Sequence, residues 1–355
     1  MNILYGVPGE GLGHATRSKV IIGYLLAQGH DVQVVSSSRA YKLLADNFPG
    51  RVREIKGFHL AYKELTVSKS RTAALTLRAA PDNLQLNFRR YRDLLATCCR
   101  FDLVISDFES FSYFFAKAQR LPVVSIDNMQ IISRTQLDVA IPREERGNFE
   151  LARSIVRAKL PRSQHYLITT FFRPPLAKPD TTLVPPIVRP EIIAQTPTRG
   201  QHVLVYQSST NQRDLVALLQ QLPQQEFRVY GFNRDEEHGN VLLRPFSEAG
   251  FIADLASARA VVTNGGFSLI SEAIYLRKPV CAIPIPAQFE QWLNAAEVEK
   301  LGYGRNFSAL TPDNLKAFLY DLAPFEQALS KYQQEGNEEL FQALDAELVR
   351  AMSDQ

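Results

Sequence analysis

The sequence predicts an α/β protein built from two doubly wound domains. Three observations carry this expectation. Short apolar strand patterns alternate with helical patterns in two separate series, a proline-dense stretch divides the series, and the chain has 355 residues, about twice a typical domain of ~100–150. Hydrophobic residues make up 45% and charged residues 22%, the balance of an ordinary globular chain. Disordered, collagen-like and coiled-coil classes are excluded for its bulk.

The first series opens with an apolar strand pattern from Asn2 to Tyr5, followed by a loop holding Gly6, Gly9, Gly11 and Gly13. Val20, Ile21, Ile22, Tyr24, Leu25 and Leu26 then give a helical apolar face, and Gly29 stands where that helix would stop. Asp31 to Val35 reads as the next strand, so strand, glycine loop, helix and strand form a βαβ unit with parallel strands. Leu103 to Ser106, Val123 to Ile126 and Tyr166 to Thr169 are further strand candidates, with a helical pattern from Phe111 to Gln119. Residues 66–100 mix seven Lys and Arg with Leu, Phe and Tyr, which suits a helix pair or a surface excursion.

Between Arg173 and Gly200 lie seven prolines in 28 residues, which rules out a helix or a central strand and predicts a linker. The second series has strand candidates at Val203 to Tyr206, Phe227 to Tyr230, Val241 to Leu243, Ala260 to Thr263 and Val280 to Ile285. Helical patterns fall at Leu215 to Leu222, Phe251 to Ala256 and Ser268 to Tyr275. After Gly336, the spacing of Leu340, Phe341, Leu344 and Leu348 predicts an amphipathic C-terminal helix, and packing back on the first domain would cover its apolar face. The expected boundaries are therefore a first domain at 1–172, a linker at 173–199, a second domain at 200–335 and the terminal helix at 336–355.

Three cysteines, two of them adjacent at Cys98 and Cys99, cannot make a disulfide framework or a zinc module, and they read as small buried residues of a reducing compartment. No apolar run approaches the ~20 residues that span a bilayer, and the first ten residues lack the pattern of a secretory signal. The expected location is cytoplasmic. Met1 to His165 carries 24 basic against 15 acidic residues, whereas the remainder carries 16 against 22, so the two halves suggest different partners or an uneven solvated surface. With no aromatic-basic RNA signature and no zinc-finger spacing, nucleic acid is not an expected partner.

Ligands of open α/β sheets bind outside the carboxyl ends of the strands. The residues just after each predicted strand are therefore the candidates. In the second domain, Gly265 and Gly266 would let a phosphate approach bare backbone N–H groups at a helix start, with the Ser268 hydroxyl as a further donor. Glu272, one turn on, could accept from a ribose. Ser208, Ser209 and Thr210 form a second donor-rich loop. A tight strand-to-helix turn capped by Ser268 is the alternative. In the first domain, Gly9 to His14 does not close a dinucleotide fingerprint, and no acidic residue ends the second strand. NAD is disfavoured, and NADP rests only on Arg39. His14, at a helix start, is kept neutral there and suits a general base, or else it caps and packs. Asp107 and Glu109 are candidates for the base, for an orienting partner of His14 or for ligands of a substrate hydroxyl, the alternative being an acidic helix N-terminus. A metal site on this one Asp-x-Glu pair has no supporting histidine, and none is expected.

The segments GEGLGHATRS at 9–18, SDFESFS at 106–112, PVVSIDNMQ at 122–130 and VVTNGGFSLISEAIYLRKPVCAIPIPAQFEQWLNAAEVEKLGYG at 261–304 give the chain a resemblance to the GT-B glycosyltransferases. It is most similar to the branch with the lipid-linked N-acetylglucosaminyltransferase of peptidoglycan synthesis and the antibiotic glycosyltransferases, within an uncharacterised bacterial and archaeal group. The resemblance implies two Rossmann-like domains facing across a cleft. It implies a nucleoside diphosphate sugar, such as a UDP-sugar, on the second domain. Gly265, Gly266 and Ser268 would meet the diphosphate, Glu272 the ribose, the Phe251 segment the base, and Glu290 and Gln291 the sugar hydroxyls. The peptidoglycan enzyme has two glutamines at that last place, which leaves the sugar open.

The implied reaction is an inverting displacement without a metal or other cofactor, with His14 or Asp107 as the base. Glu10, Gly13, Arg17, Asp127 and Asn128 then become acceptor-binding candidates. The acceptor is a glycan, a lipid-linked molecule or a small molecule. The basic front half points to an anionic or lipid-phosphate acceptor at the inner face of a membrane, where the chain would be peripheral. The competing readings are a sugar-nucleotide epimerase or hydrolase, a non-catalytic nucleotide-sugar sensor or scaffold, and an NADP-dependent oxidoreductase.

Overall fold

A computed structural model describes residues 1–9, 11–57, 85–96, 100–207 and 212–353. Glu10, Cys98, Cys99, the loop Ser208–Thr210 and most of the basic stretch 66–100 lie outside the described residues. The chain divides into two compact units, Met1–Asp138 with Phe149–Ile187 and Asn337–Gln355, and Val139–Asn148 with Val188–Gly336.

The first unit runs β1 (Asn2–Val7), α1 (Leu12–Ala27), β2 (Asp31–Ser36), α2 (Ser38–Asn47), β3 (Val52–Glu54), α3 (85–95), β4 (Leu103–Ser106), α4 (Ser110–Gln119), β5 (Val123–Asp127), α5 (Ile131–Arg134), α6 (Arg146–Lys159), β6 (His165–Thr169) and β7 (Thr181–Val184). Its seven strands are all parallel, in the order β3-β2-β1-β4-β5-β6-β7. Parallel strands covered on both faces must be apolar throughout, and Leu103, Val104 and Ile105 are all fully buried. The chain moves outward from β1 to β3 and then returns to the other side of β1, so the direction of winding reverses between β1 and β4. A crevice opens at such a point, beyond the carboxyl ends of those two strands.

The second unit runs α7 (Pro190–Ile193), β8 (Val203–Tyr206), α8 (Gln212–Leu219), β9 (Phe227–Tyr230), β10 (Glu236–His238), β11 (Val241–Leu243), α9 (Glu248–Ser257), β12 (Ala260–Thr263), α10 (Phe267–Tyr275), β13 (Val280–Ala282), α11 (Phe289–Lys300), β14 (Gly304–Asn306), α12 (Pro312–Tyr320) and α13 (Leu322–Leu329). Its sheet has the order β10-β11-β9-β8-β12-β13-β14, with only the β10–β11 pair antiparallel. The winding reverses here between β8 and β12.

The C-terminal helix α14 (Glu338–Ser353) belongs to the first unit. Leu340, Leu344, Leu348 and Ala351 enter the same core as Ile3, Tyr5, Val32 and Val34. The Tyr24 ring stacks on Phe341 at 3.9 Å, and its hydroxyl donates to Asp345 at 2.6 Å. The expected apolar face therefore finds its partner in the first core.

The proline-dense stretch carries regular structure that the linker expectation did not include. β7 is the edge strand of the first sheet, and Pro179 and Pro185 fall outside it. An edge position tolerates nearby proline because one side of the strand needs no ladder bonds. Pro190 opens α7, where its missing N–H has no helical partner to lose. No described helix is long and apolar enough to cross a membrane.

Candidate active site

The site in the first unit is built where β1 and β4 end. Gly11 caps the start of α1 with φ +76, a left-handed value that suits glycine, and no side chain caps the helix there. His14 lies in the first turn, and Arg17 and Ser18 follow three and four residues later on the same face. That face meets Asp107, the first residue after β4. His14 Nδ1 stands 3.0 Å from Asp107 Oδ1. Arg17 donates from Nε to Oδ2 at 2.9 Å and from a terminal nitrogen to Oδ1, while Ser18 Oγ donates to Oδ2 at 3.0 Å. The other Arg17 terminal nitrogen donates to Asn128 Oδ1 at 2.6 Å. Asp107 is buried, with 1% of its side chain exposed, whereas His14 keeps 22%.

Burial by itself would raise the Asp107 carboxyl, but the Arg17 guanidinium and His14 overcome it and hold the group well below the usual carboxylate range. Asp107 is therefore an anion. Two neighbours compete for Nδ1, since the Arg17 nitrogen bonded to Asp107 also lies 2.7 Å from it. If Nδ1 carries the proton it donates to Asp107 and leaves Nε2 bare, which is the arrangement of a base oriented by a carboxylate.

Phe108, next in the chain, adopts φ +58, a strained conformation for a bulky residue. The turn lets Asp107 face α1 while Glu109 turns back over α4. Glu109 does not join the cluster. Its two oxygens accept from the backbone N–H groups of Phe111 and Ser112, each at 2.7 Å, so it caps α4. Asp127 is also occupied locally, accepting from Ser125 Oγ at 2.6 Å and from the Gln130 N–H at 2.9 Å, and burial raises its carboxyl. The sequence-derived set thus separates. His14, Arg17, Asp107 and Asn128 come together, Gly13 lies in α1 beside them, and Glu109 and Asp127 brace the scaffold. The Arg17 guanidinium is committed to Asp107 and Asn128.

In the second unit the corresponding turn follows β12. Gly265 has φ +87, and a Cβ there would lie 2.8 Å from the Gln291 carbonyl oxygen. Asn294 donates to the Gly265 carbonyl at 3.1 Å. Gly266 caps α10 with open space beside it, no side-chain cap and no acidic residue in the first turn, so the N–H groups of the helix start face an uncrowded turn. Ser268 is half-buried in that turn. Phe251 packs edge-on against Tyr230 at 5.0 Å and Tyr206 at 6.1 Å, an aromatic cluster at the ends of β8 and β9. The Gln291 amide accepts from the Ile285 N–H at 3.0 Å and donates to Gln288 at 2.6 Å, bracing a loop in which Ala287 has φ +65. Glu290 stands beside it in the first turn of α11.

Glu272 is held by a residue that sequence reasoning missed. Arg189 donates from Nε to Oε1 at 2.6 Å and from a terminal nitrogen to Oε2 at 2.8 Å, and its other terminal nitrogen reaches Glu248 at 2.9 Å. Burial raises the Glu272 carboxyl and Arg189 opposes the rise only in part. A single signal pointed to it, an arginine standing alone in the apolar run Pro185-Pro-Ile-Val-Arg189-Pro. Among the described residues, no group of three or more His, Cys, Asp or Glu side chains could hold a metal ion.

The chain is 23% identical over 346 residues to an uncharacterized glycosyltransferase of Methanosarcina acetivorans, covering 88% of this chain and 87% of the relative. Its fold is similar to the glycosyltransferase of kitacinnamycin, with 19% identity, a TM-score of 0.68 and coverage of 99% and 98%. It is similar also to Phytolacca americana UGT2, solved with UDP-2-fluoroglucose and pterostilbene, with 14% identity, a TM-score of 0.66 and coverage of 98% and 99%. The two Rossmann-like sheets are those of the GT-B fold. Glycosyl transferase family 1 matches residues 1–323, so the chain belongs to that family and is a glycosyltransferase.

Proposed function

We propose that the donor is a nucleoside diphosphate sugar held by the second unit, and that transfer proceeds with inversion and without a metal ion. The observation that carries this reading is His14 Nδ1 at 3.0 Å from the buried Asp107 carboxylate. With the Nδ1 proton donated to Asp107, Nε2 takes the proton of an acceptor hydroxyl. The hydroxyl oxygen bonds to the anomeric carbon from the face opposite the leaving group, and the carbon–oxygen bond to the diphosphate breaks. The departing charge goes to the N–H groups at the start of α10 and to the Ser268 hydroxyl. Glu272, turned by Arg189, keeps lone pairs for ribose hydroxyls, and the Phe251 cluster borders the base. UGT2, with its bound UDP-2-fluoroglucose, supports a UDP-sugar as the first donor to try.

A thermal-shift series with UDP, GDP, dTDP, CDP and ADP beside NADP and NADPH tests the donor site. A ligand at 100 times its Kd adds ~2.7 kcal/mol to the folded state. A selective response to one diphosphate is expected. A response to NADP(H) alone would overturn the reading.

The acceptor is anionic or lipid-linked in this reading, and the chain meets it at a membrane surface. The support is the basic front half together with one face of α3, where Phe88 at 65% and Leu95 at 49% are exposed and Arg89 and Arg92 are exposed between them. Sedimentation with anionic liposomes at low salt is the measurement, and a protein left wholly in the supernatant removes this part of the reading.

A further inference from the structure

In the second sheet β13 lies beside β12, so the loop after β13 stands next to the Gly265–Gly266 turn. A sugar joined to a diphosphate on that turn meets this loop next. The loop runs Pro284-Ile-Pro-Ala287-Gln288. The two prolines have no N–H, so Ile285 carries the one backbone donor of residues 284–286. That N–H donates to the Gln291 amide oxygen at 3.0 Å. A backbone N–H can only donate, which sets the Gln291 amide with its nitrogen on the other side, where it donates to Gln288 Oε1 at 2.6 Å. The Ile285 carbonyl accepts from the Gln288 N–H at 3.2 Å, and the Gln288 carbonyl accepts from the Trp292 N–H at 3.1 Å. Between these bonds Ala287 adopts φ +65, a left-handed value that strains an alanine and leaves a glycine nearly free. The Gln291 backbone packs on the neighbouring turn, since its carbonyl oxygen lies 2.8 Å from where a Cβ on Gly265 would stand.

We propose that Gln291 is a positioning residue for the donor sugar. The two ends of its amide hold the loop in a shape that Ala287 by itself would leave, and its backbone ties that shape to the Gly265 turn. The sugar hydroxyls then meet a loop already ordered, so binding does not have to order it. Because Gln291 acts through the loop, relieving the strain at Ala287 should stand in for it. This deepens the donor reading above and rests on it.

The test is the ratio of two dissociation constants, for a nucleoside diphosphate and for its glucose derivative. Both are measured by titration calorimetry on the full chain without acceptor, for each base of the thermal-shift series. Gln291→Met keeps the length of the side chain and removes both bonds. It should move the ratio about tenfold against the glucose derivative, while the diphosphate itself binds within about threefold of wild type. Ala287→Gly alone should raise Tm by about 2–4 °C. In A287G/Q291M the loop no longer works against its own backbone, and most of the lost ratio should return. A direct bond from Gln291 to the sugar would be missing from Q291M and the double variant alike. A double variant no better than Q291M therefore overturns the proposal, as does a ratio unmoved in Q291M or an A287G variant melting no higher than wild type. With diphosphate binding intact, each of these leaves the donor site standing. A wild type that binds no diphosphate removes the donor reading itself, and this proposal with it. Should Q291M not fold, Gln288→Met opens the brace at its outer bond and enters the same comparison with A287G.

Discussion

Replacing Arg189 with methionine keeps the length of the side chain and removes its charge. Glu272 is left with 8% of its side chain exposed and without the two bonds, at 2.6 and 2.8 Å, that hold its carboxylate. Removing one partner of a buried pair costs about 3–5 kcal/mol, because the other charge stays buried. The third contact, to the exposed Glu248 carboxylate, adds little. For a unit of this size each kcal/mol moves Tm by about 2–4 °C, so a fall of ~10 °C is expected at pH 7.

The loss depends on pH with a definite sign. The Glu272 carboxyl is already raised by burial, and without Arg189 it rises further. A carboxyl raised in the folded state contributes stability below its unfolded value, about 4.3, and that contribution is lost as pH rises through the folded value. The R189M defect should therefore be smallest near pH 4 and grow towards pH 7. Thermal melts of wild type, R189M, E272Q and R189M/E272Q across that range measure it, and the double variant should recover most of the loss. A defect under about 1 kcal/mol at pH 7, one that does not shrink on acidification, or a double variant no better than R189M would refute the buried-pair argument.

Three other outcomes follow from the same geometry. His14→Gln should lower transfer by about 10²–10⁴-fold, measured as nucleoside diphosphate release in the presence of acceptor, while the thermal-shift response to the diphosphate remains. Gly265→Ala should destabilise the second unit by about 1–3 kcal/mol in urea unfolding and weaken the diphosphate response, since φ is +87 and a Cβ would press on the Gln291 carbonyl at 2.8 Å. Phe341→Ala removes the ring stacked on Tyr24 and should cost about 3 kcal/mol by denaturant melt, with the donor response unchanged because α14 belongs to the first unit.

The inner strands were legible because parallel strands covered on both faces must be apolar over their whole length, as in Leu103-Val-Ile and Val203-Leu-Val. The glycine turns were legible because a left-handed φ leaves few other choices at Gly11 and Gly265, and at Gly265 a close backbone approach narrows them further. β3, β10 and β14 were not, since Val-Arg-Glu, Glu-Glu-His and Gly-Arg-Asn are three-residue segments with no apolar run. β7 was hidden by its flanking prolines, which deny a central strand but not an edge. Glu109 was open to several readings in the sequence, and the structure makes it the cap of α4, which starts at the next residue, Ser110.

The sequence by itself determined which residues could carry chemistry. His14 had to stand at a helix start, Asp107 at a strand end, and Gly265 and Gly266 before a helix, because those features are set by a few neighbouring residues. Only the tertiary structure decided their partners. Asp107 comes to His14 across 93 positions because the sheet sets β4 beside β1, and Arg189 comes to Glu272 across 83 positions. Charges so far apart in the chain leave no local pattern, and their pairing is fixed by the strand order and by the requirement that a buried charge meet its opposite.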